Sequence, residues 1–309
     1  MKLYEMKIEG KIYRVGEDDG FLVYEGIQLE HDTLYILCPY GIGDTLYAAS
    51  LAESLKKFRS VAKIGLIIKK AHSQIPDWFD AVDEKIISDE VVHTLNVFSV
   101  YTGKWEFKNY LYGHFHKNMD GAMLPEYNSC EVKNMIYRYK KLVFHLPVEC
   151  LLEEPKIVSD EMLFESLMAE YKIGERSIIL MPYANSNAIA LRGNHFWEEL
   201  AGLLMALGFT VFTNVKGSEE LPIKGTIGLC ADLGTMAAIC ENCRLVISLR
   251  SGICDVLAFT ETNLVVVNLT EYHLNEWSLK AATDRKNIHS FLVNDEKMIP
   301  SILEMLNCI

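Results

Sequence analysis

From residue 33 the chain alternates short runs that are apolar at nearly every position with longer stretches that are apolar on one helical face only. The runs "TLYILCPY", "KIGLIIK" and "EKIIS" have the composition of strands buried on both sides, separated by a helical stretch reaching Phe58 and by the amphipathic "AHSQIPDWFDAV". That rhythm predicts a parallel sheet covered by helices. It returns more clearly in the second half: strand "SIILMPYA", helix "HFWEELAGLLMALG" closed by Gly208, strand "TVFTNV", helix "LGTMAAICENC", strand "RLVISL", the turn "RSG", a short helix and strand "NLVVVNL". A last amphipathic helix, "EKMIPSILEMLNCI", closes the series.

Residues 1 to 30 alternate apolar and polar positions around "GEDDG", the pattern of a β-hairpin extension. Residues 90 to 145 carry many aromatics without a clear period and end in a helix, "KNMIYRYKKL", with Lys133, Arg138, Lys140 and Lys141. Its composition suits either a solvated face over buried tyrosines or contact with an anionic membrane surface. Two prolines and a run of acids in "LPVECLLEEPKIVSDE", residues 146 to 161, mark an interdomain linker. The expectation is α/β, two doubly wound domains over 1–150 and 151–309, each large enough to bury its own core.

Half of the 309 residues are hydrophobic and 23% are charged, the composition of a packed protein. With 42 acidic and 30 basic residues the net charge is −12, which argues against a nucleic-acid surface and requires local positive charge for any anionic ligand. No apolar run reaches the ~20 residues of a membrane span, and the first residues lack the apolar core of a signal peptide, so a cytoplasmic protein is expected. The eight cysteines are scattered, as reduced thiols are; "CENC" at 240 to 243 sits at a helix end with no second ligand pair and reads first as structural.

Two such domains joined by a short linker form a cleft at the carboxyl ends of their sheets, where ligands of these folds bind. In "PYGIGDTLY", Gly41 and Gly43 free the backbone to turn tightly before a helix start, with Thr45 next in line. Asp44 is the informative residue, because a carboxylate there repels phosphate. It reads either as a helix N-cap or as a general base that takes a proton from an attacking hydroxyl. In the second half "LVISL" runs into Arg250, Ser251 and Gly252, a charge, a hydroxyl and a helix start suited to a diphosphate; the alternative is a surface arginine paired with Asp255. The loop "YANSNAIALRGNH" offers Asn185, Ser186, Asn187 and Arg192 to phosphate oxygens. His114 and His116 in "YGHFH" have a metal-compatible spacing but no third ligand, so they read as acceptor-loop or structural residues, and no metal is expected. "G-x-G-x-x-G" is absent, and with it the nicotinamide fingerprint.

The order of these features resembles the ADP-heptose:lipopolysaccharide heptosyltransferase family, glycosyltransferase family 9-like enzymes with the GT-B fold of two Rossmann-like domains facing across a cleft. The resemblance runs over most of the chain from residue 33. In that family a "G[LI]GD" turn after the first strand carries the proposed base, which falls on Asp44. A loop after the first strand of the second domain contacts donor phosphate and falls on Ser186, Asn187 and Arg192. The family's "D[ST]GxxH" turn falls on "RSGICD", with Arg250 where the family has an acid and Asp255 where it has a histidine, and Arg192 stands near the place of a usual lysine. The resemblance therefore implies fold and reaction class and leaves the donor open.

The expected function is transfer of a sugar from a nucleotide-diphosphate-sugar donor to a hydroxyl acceptor in cell-surface glycan biosynthesis, with inversion as the resemblance implies. Asp44 is the base, the Gly41–Gly43–Thr45 turn shapes the cleft, and Ser186, Asn187, Arg192, Arg250, Ser251, Gly252 and Asp255 serve the donor. No cofactor is expected beyond the nucleotide sugar as co-substrate. The partners expected are that donor and a glycan or lipid-linked glycan acceptor, the latter met by residues 90 to 145 with His114 and His116, and a peripheral contact with the inner membrane face. Two alternatives stay open: a non-catalytic nucleotide-sugar or glycan-binding protein, and a nucleotide-sugar epimerase or hydrolase on the same fold.

Overall fold

The computed structural model describes residues 2–114, 135–184, 195–217 and 220–307, and the chain divides into two compact units, Met1–Lys156 and Ile157–Ile309. The division falls inside the segment 146–161. Residues before it lie on the first unit: the Glu153 N–H donates to the Ser50 carbonyl (2.8 Å) and the Lys156 N–H to the Trp78 carbonyl (2.8 Å). A helix begins soon after it, Glu161–Tyr171, with Asp160 capping the Leu163 N–H at 3.0 Å.

The first unit opens with more than one hairpin. Strands β1 (Lys2–Ile8), β2 (Lys11–Asp18) and β3 (Phe21–Tyr24) form a three-stranded antiparallel sheet in the order β1-β2-β3. Both turns use a pair of residues with positive φ, Glu9–Gly10 (49° and 85°) and Asp19–Gly20 (47° and 83°), the backbone twist that two-residue hairpin turns need. Alternate residues Met6, Val15, Leu22 and Tyr24 enter the same core as Val92, Leu95 and Phe98, so the extension is part of the unit's packing.

The first unit's main sheet contains β4 (Thr33–Leu37), β5 (Lys63–Ile68), β6 (Glu84–Ile87), β7 (Glu106–Phe107) and β8 (Tyr110–Tyr112) in the order β6-β5-β4-β8-β7. All neighbours are parallel except β7 on β8. The chain steps from β4 outward to β6 and then returns to the other side of β4, so the order reverses between β4 and β8, which is where α/β sheets open a crevice. The helix expected up to Phe58 is two, α1 (Ile42–Ser50) and α2 (Ala52–Arg59), broken at Leu51. "AHSQIPDWFDAV" is not a helix. It forms 3₁₀ turns at Lys70–His72 and Ile75–Trp78, because Pro76 has no N–H to continue a ladder and fits only a first turn, where it helps bury Trp78. Helix α3 (Asp89–Thr102) fills much of the poorly periodic stretch, capped by the Ser88 side chain at one end and by Gly103 (φ 66°) at the other. A short helix, α4 (Met135–Arg138), widens into a π-turn at Tyr139–Val143.

The second unit is an all-parallel sheet of β9 (Ser177–Met181), β10 (Thr210–Asn214), β11 (Ile227–Leu229), β12 (Leu245–Leu249), β13 (Leu264–Asn268) and β14 (Ile288–Leu292). Its order is β11-β10-β9-β12-β13-β14, the 3-2-1-4-5-6 order of a dinucleotide-type fold, with the reversal between β9 and β12. Glu161–Tyr171 (α5), His195–Ala206 (α6), Leu233–Glu241 (α7), Gly252–Leu257 (α8), Glu271–Glu276 (α9) and Met298–Asn307 (α10) are its helices among the described residues. One core joins Ile178, Ile247 and Val265 of the sheet to Trp197 and Leu204 of α6 and Met298 and Ile302 of α10. Gly208 closes α6 with φ 84°.

The cysteines of "CENC" are structural here. Cys240 and Cys243 are both buried, burial pushes the Cys243 thiol up to about 12, and its S–H donates to the Ile239 carbonyl at 3.3 Å. Among the described residues no three His, Cys, Asp or Glu side chains stand together in a way that could hold a metal, and no helix is long and apolar enough to cross a membrane.

Candidate active site

The crevice of the first sheet is built where β4 runs out through Cys38, Pro39 and Tyr40 into α1. Gly41 is the N-cap of α1, in extended backbone (φ −96°, ψ 171°). Having no side chain, it cannot cap the helix in the usual way. The reciprocal bond is made instead: Asp44, at the third helical position, accepts the Gly41 N–H on Oδ2 at 2.7 Å. Asp44 is therefore not the N-cap itself, and neither Gly41 nor Gly43 is among the glycines with positive φ. What position 41 requires is space, since a Cβ there would stand 3.1 Å from Asp44 Oδ2.

The second carboxylate oxygen meets residues from far along the chain. The Tyr139 hydroxyl donates to Oδ1, and His114 Nε2 lies 3.5 Å from the same atom. Asp44 is 8% exposed, a placement that a carboxylate tolerates only with such partners. Burial first, then the charge and hydrogen bond of Asp44, hold the Tyr139 phenol well above its ordinary pKa, which keeps the proton on Tyr139 and makes it the donor. Burial, and after it the Asp44 charge, also push the Cys38 thiol up.

His114 follows Gly113, where a Cβ would come within 2.6 Å of Ile36 Cγ2 and 2.7 Å of the Leu37 carbonyl; only glycine lets the exit of β8 lie this close to β4. The Tyr40 ring meets the imidazole edge-on (4.3 Å, 60°), and the Tyr112 hydroxyl lies 3.3 Å from that of Tyr40 and donates to Asn96 Oδ1 at 2.7 Å. Thr45 also reaches back to the N-cap, its hydroxyl 3.3 Å from the Gly41 carbonyl and 2.8 Å from His72 Nδ1. Of these, Tyr139, His72, Tyr40 and Tyr112 were not singled out by sequence; "KNMIYRYKKL" showed only that tyrosines would be buried. Arg138 of that stretch is itself 7% exposed, so its basic residues do not share one surface; Lys133 and His116 lie outside the described residues.

In the second unit β12 ends at the reversal point and leads into Arg250, Ser251 and α8. The Arg250 guanidinium is bidentate to Asp255 (Nη1 to Oδ2 2.9 Å, Nη2 to Oδ1 2.7 Å) and also donates to the Ser251 and Trp277 carbonyls at 2.8 and 2.9 Å. The pairing with Asp255 expected as the alternative is thus made, but by a buried arginine, 7% exposed, and not by a surface one. Around this clamp Ser251 Oγ, His273 Nδ1 and Trp277 Nε1 are buried with no hydrogen-bond partner among the described residues. Burial, then the neighbouring Arg250 charge, hold His273 below its ordinary pKa. Asn185, Ser186, Asn187 and Arg192 lie outside the described residues.

No family model and no curated protein sequence matches the chain. Solved structures match its fold over nearly its whole length. The ADP-heptose lipopolysaccharide heptosyltransferase II of E. coli is similar at a TM-score of 0.59, with 14% identity, over 89% of this chain and 97% of that one. The fold is that of the heptosyltransferases. A glycosyltransferase family 9 structure from Veillonella parvula gives 0.54 at 13% identity over 92% and 95% of the two chains, and an E. coli heptosyltransferase with ADP gives 0.50 at 14% over 89% and 99%. Within that fold the chain places Asp44 at the strand–turn–helix corner of the first unit and the Arg250–Asp255 pair at the corner after β12 in the second.

Proposed function

We propose that the chain is a glycosyltransferase that moves a sugar from a nucleotide-diphosphate-sugar donor to a hydroxyl acceptor in cell-surface glycan biosynthesis. The observation that carries this reading is a buried carboxylate, Asp44, held on both oxygens at the crevice of an α/β sheet. Such a group is held in one geometry, which proton transfer from a positioned hydroxyl needs. The acceptor hydroxyl gives its proton to Asp44 while its oxygen bonds to the anomeric carbon; the bond from that carbon to the diphosphate breaks, and the nucleoside diphosphate leaves. A single displacement of this kind inverts the anomeric centre.

The donor falls to the second unit, supported by its dinucleotide-type strand order and by a neighbour of the same fold solved with ADP. In this reading the Ser251 hydroxyl and the turn at Gly252 meet the diphosphate, Arg250 and Asp255 hold that turn in shape, and Ser186, Asn187 and Arg192 add donors from the loop after β9. In this reading the Arg192 charge and the N–H groups of the turn offset the charge growing on the leaving group, and the reading assigns no step to a metal. The same reading puts the reaction at the cytoplasmic face of a membrane, with a lipid-linked glycan as acceptor met by peripheral contact.

The test is release of nucleoside diphosphate from ADP-heptose, UDP-glucose, UDP-N-acetylglucosamine and GDP-mannose, each with and without a lipid-linked glycan extract. Release that depends on the extract supports transfer. Release without it marks a hydrolase, interconversion of the sugar an epimerase, and binding with no turnover a non-catalytic protein.

A further inference from the structure

Three separate stretches of chain converge on one carboxylate. The start of α1 supplies the Gly41 N–H to Asp44 Oδ2, the π-turn supplies the Tyr139 hydroxyl to Oδ1, and the exit of β8 brings His114 Nε2 to 3.5 Å from Oδ1. Tyr139 is 95 positions from Asp44 in sequence and fully buried, and His114 is 5% exposed. We infer that Tyr139 and His114 are positioning residues that hold the Asp44 carboxylate in one orientation for proton transfer. The inference rests on the reading of Asp44 as the base.

A carboxylate on a short stem rotates broadly about its last bond, and one anchor on Oδ2 leaves that rotation loose. A second anchor on the other oxygen fixes the plane, so the lone pair that takes a proton keeps one direction. The anchors are themselves fixed. Tyr139 packs between Tyr47 (6.2 Å between ring centres) and Phe144 (6.0 Å, 26°), and His114 against Tyr40. The backbone bends to place Tyr139: the Phe144 N–H reaches back five residues to the Tyr139 carbonyl at 3.0 Å, the wide turn that interrupts helices at functional sites. A plain helical turn would have closed one residue earlier.

The experiment uses Tyr139→Phe, His114→Asn and Asp44→Asn, and Tyr139→Phe in the Asp44→Asn background, with whichever of the four nucleotide sugars above is turned over with extract. Tyr139→Phe should lower kcat roughly 10- to 100-fold, the scale set by small misplacements of a reacting group, with the donor KM within about twofold. In the Asp44→Asn background the same change should do nothing further. An unchanged kcat, or an equal loss in both backgrounds, overturns the inference and leaves the reading of Asp44 intact. If Asp44→Asn keeps its turnover, or none of the sugars is turned over, the base assignment falls and takes the inference with it. Should Tyr139→Phe not fold, as read by its melting curve, the same two comparisons made with His114→Asn, alone and in the Asp44→Asn background, decide.

Discussion

Arg250 grips both oxygens of the Asp255 carboxylate five residues further on, with 7% and 4% of the two side chains exposed. The guanidinium ties the end of β12 to α8 and, through the Trp277 carbonyl, to the end of α9. Removing one partner leaves the other charge buried. Arg250→Ala should cost about 3–5 kcal/mol of stability, and a joint Arg250→Met and Asp255→Leu change should restore most of it. Urea unfolding checks this, and a single variant with the parent midpoint would show that the pair clamps nothing.

Asp44→Asn should fold almost normally, because the amide oxygen can still accept the Gly41 N–H. Transfer should fall ~100- to 10,000-fold, the usual contribution of a general base. Asp44→Ala removes the acceptor of two hydrogen bonds and should in addition lose about 1–3 kcal/mol. Turnover and melting temperature on both variants separate chemistry from capping; an Asp44→Asn protein with parental turnover would rule out the base.

Gly41→Ala tests the space above the carboxylate. Its backbone angles suit alanine, so folding should hold, but the new Cβ presses on Oδ2 at 3.1 Å and turns the carboxylate out of line. A drop in kcat of roughly 10-fold or more at an unchanged melting temperature is expected. Parental kcat would mean that the carboxylate orientation does not matter.

His273 gives a pH dependence. Its folded-state pKa lies below the ordinary 6.5, so the unfolded chain binds the proton more readily. Stability from this group is whole above pH 6.5 and declines as the pH falls below that value toward the lowered one. Melting temperatures from pH 8 to 5 should fall less steeply in His273→Gln than in the parent. Parallel curves would contradict the shift.

Asn109 joins two sheets: its side chain binds both the N–H and the carbonyl of Leu22 (2.7 and 3.3 Å), and its own carbonyl accepts the Tyr35 N–H at 3.0 Å. Asn109→Ala should orphan the buried Leu22 N–H and cost about 1–3 kcal/mol. A thermal shift of the whole first unit is the expected readout, and none at all would mean that the two sheets do not depend on each other.

What the sequence shows and what it hides follow from range. β9, β12 and β13 are legible because strands buried on both faces are apolar at nearly every position, whereas β11 and β14 are edge strands whose residues are partly exposed. α3 has its Ser88 cap and Gly103 stop in plain view, but its aromatic-rich interior blurs the helical period. In the site, Gly41 to Asp44 stand out because a strand, a turn and a helix are adjacent in sequence, and Arg250 with Asp255 because one helical turn joins them. Tyr139 and His72 belong to other elements, and only the fold brings them to Asp44 and Thr45.

The Leu22–Asn109 clasp also bears on how the chain is made. Residues 2–24 leave the ribosome well before Asn109, the residue that locks β3, which lies 87 positions after Leu22 and is followed at once by β8. At ~5–20 residues per second, the first sheet therefore waits roughly 4–17 s for its partner. Through that interval the core that Met6, Val15 and Leu22 enter lacks Phe107, Tyr110 and Tyr112, and the nascent β1–β3 segment keeps apolar side chains that a chaperone can hold.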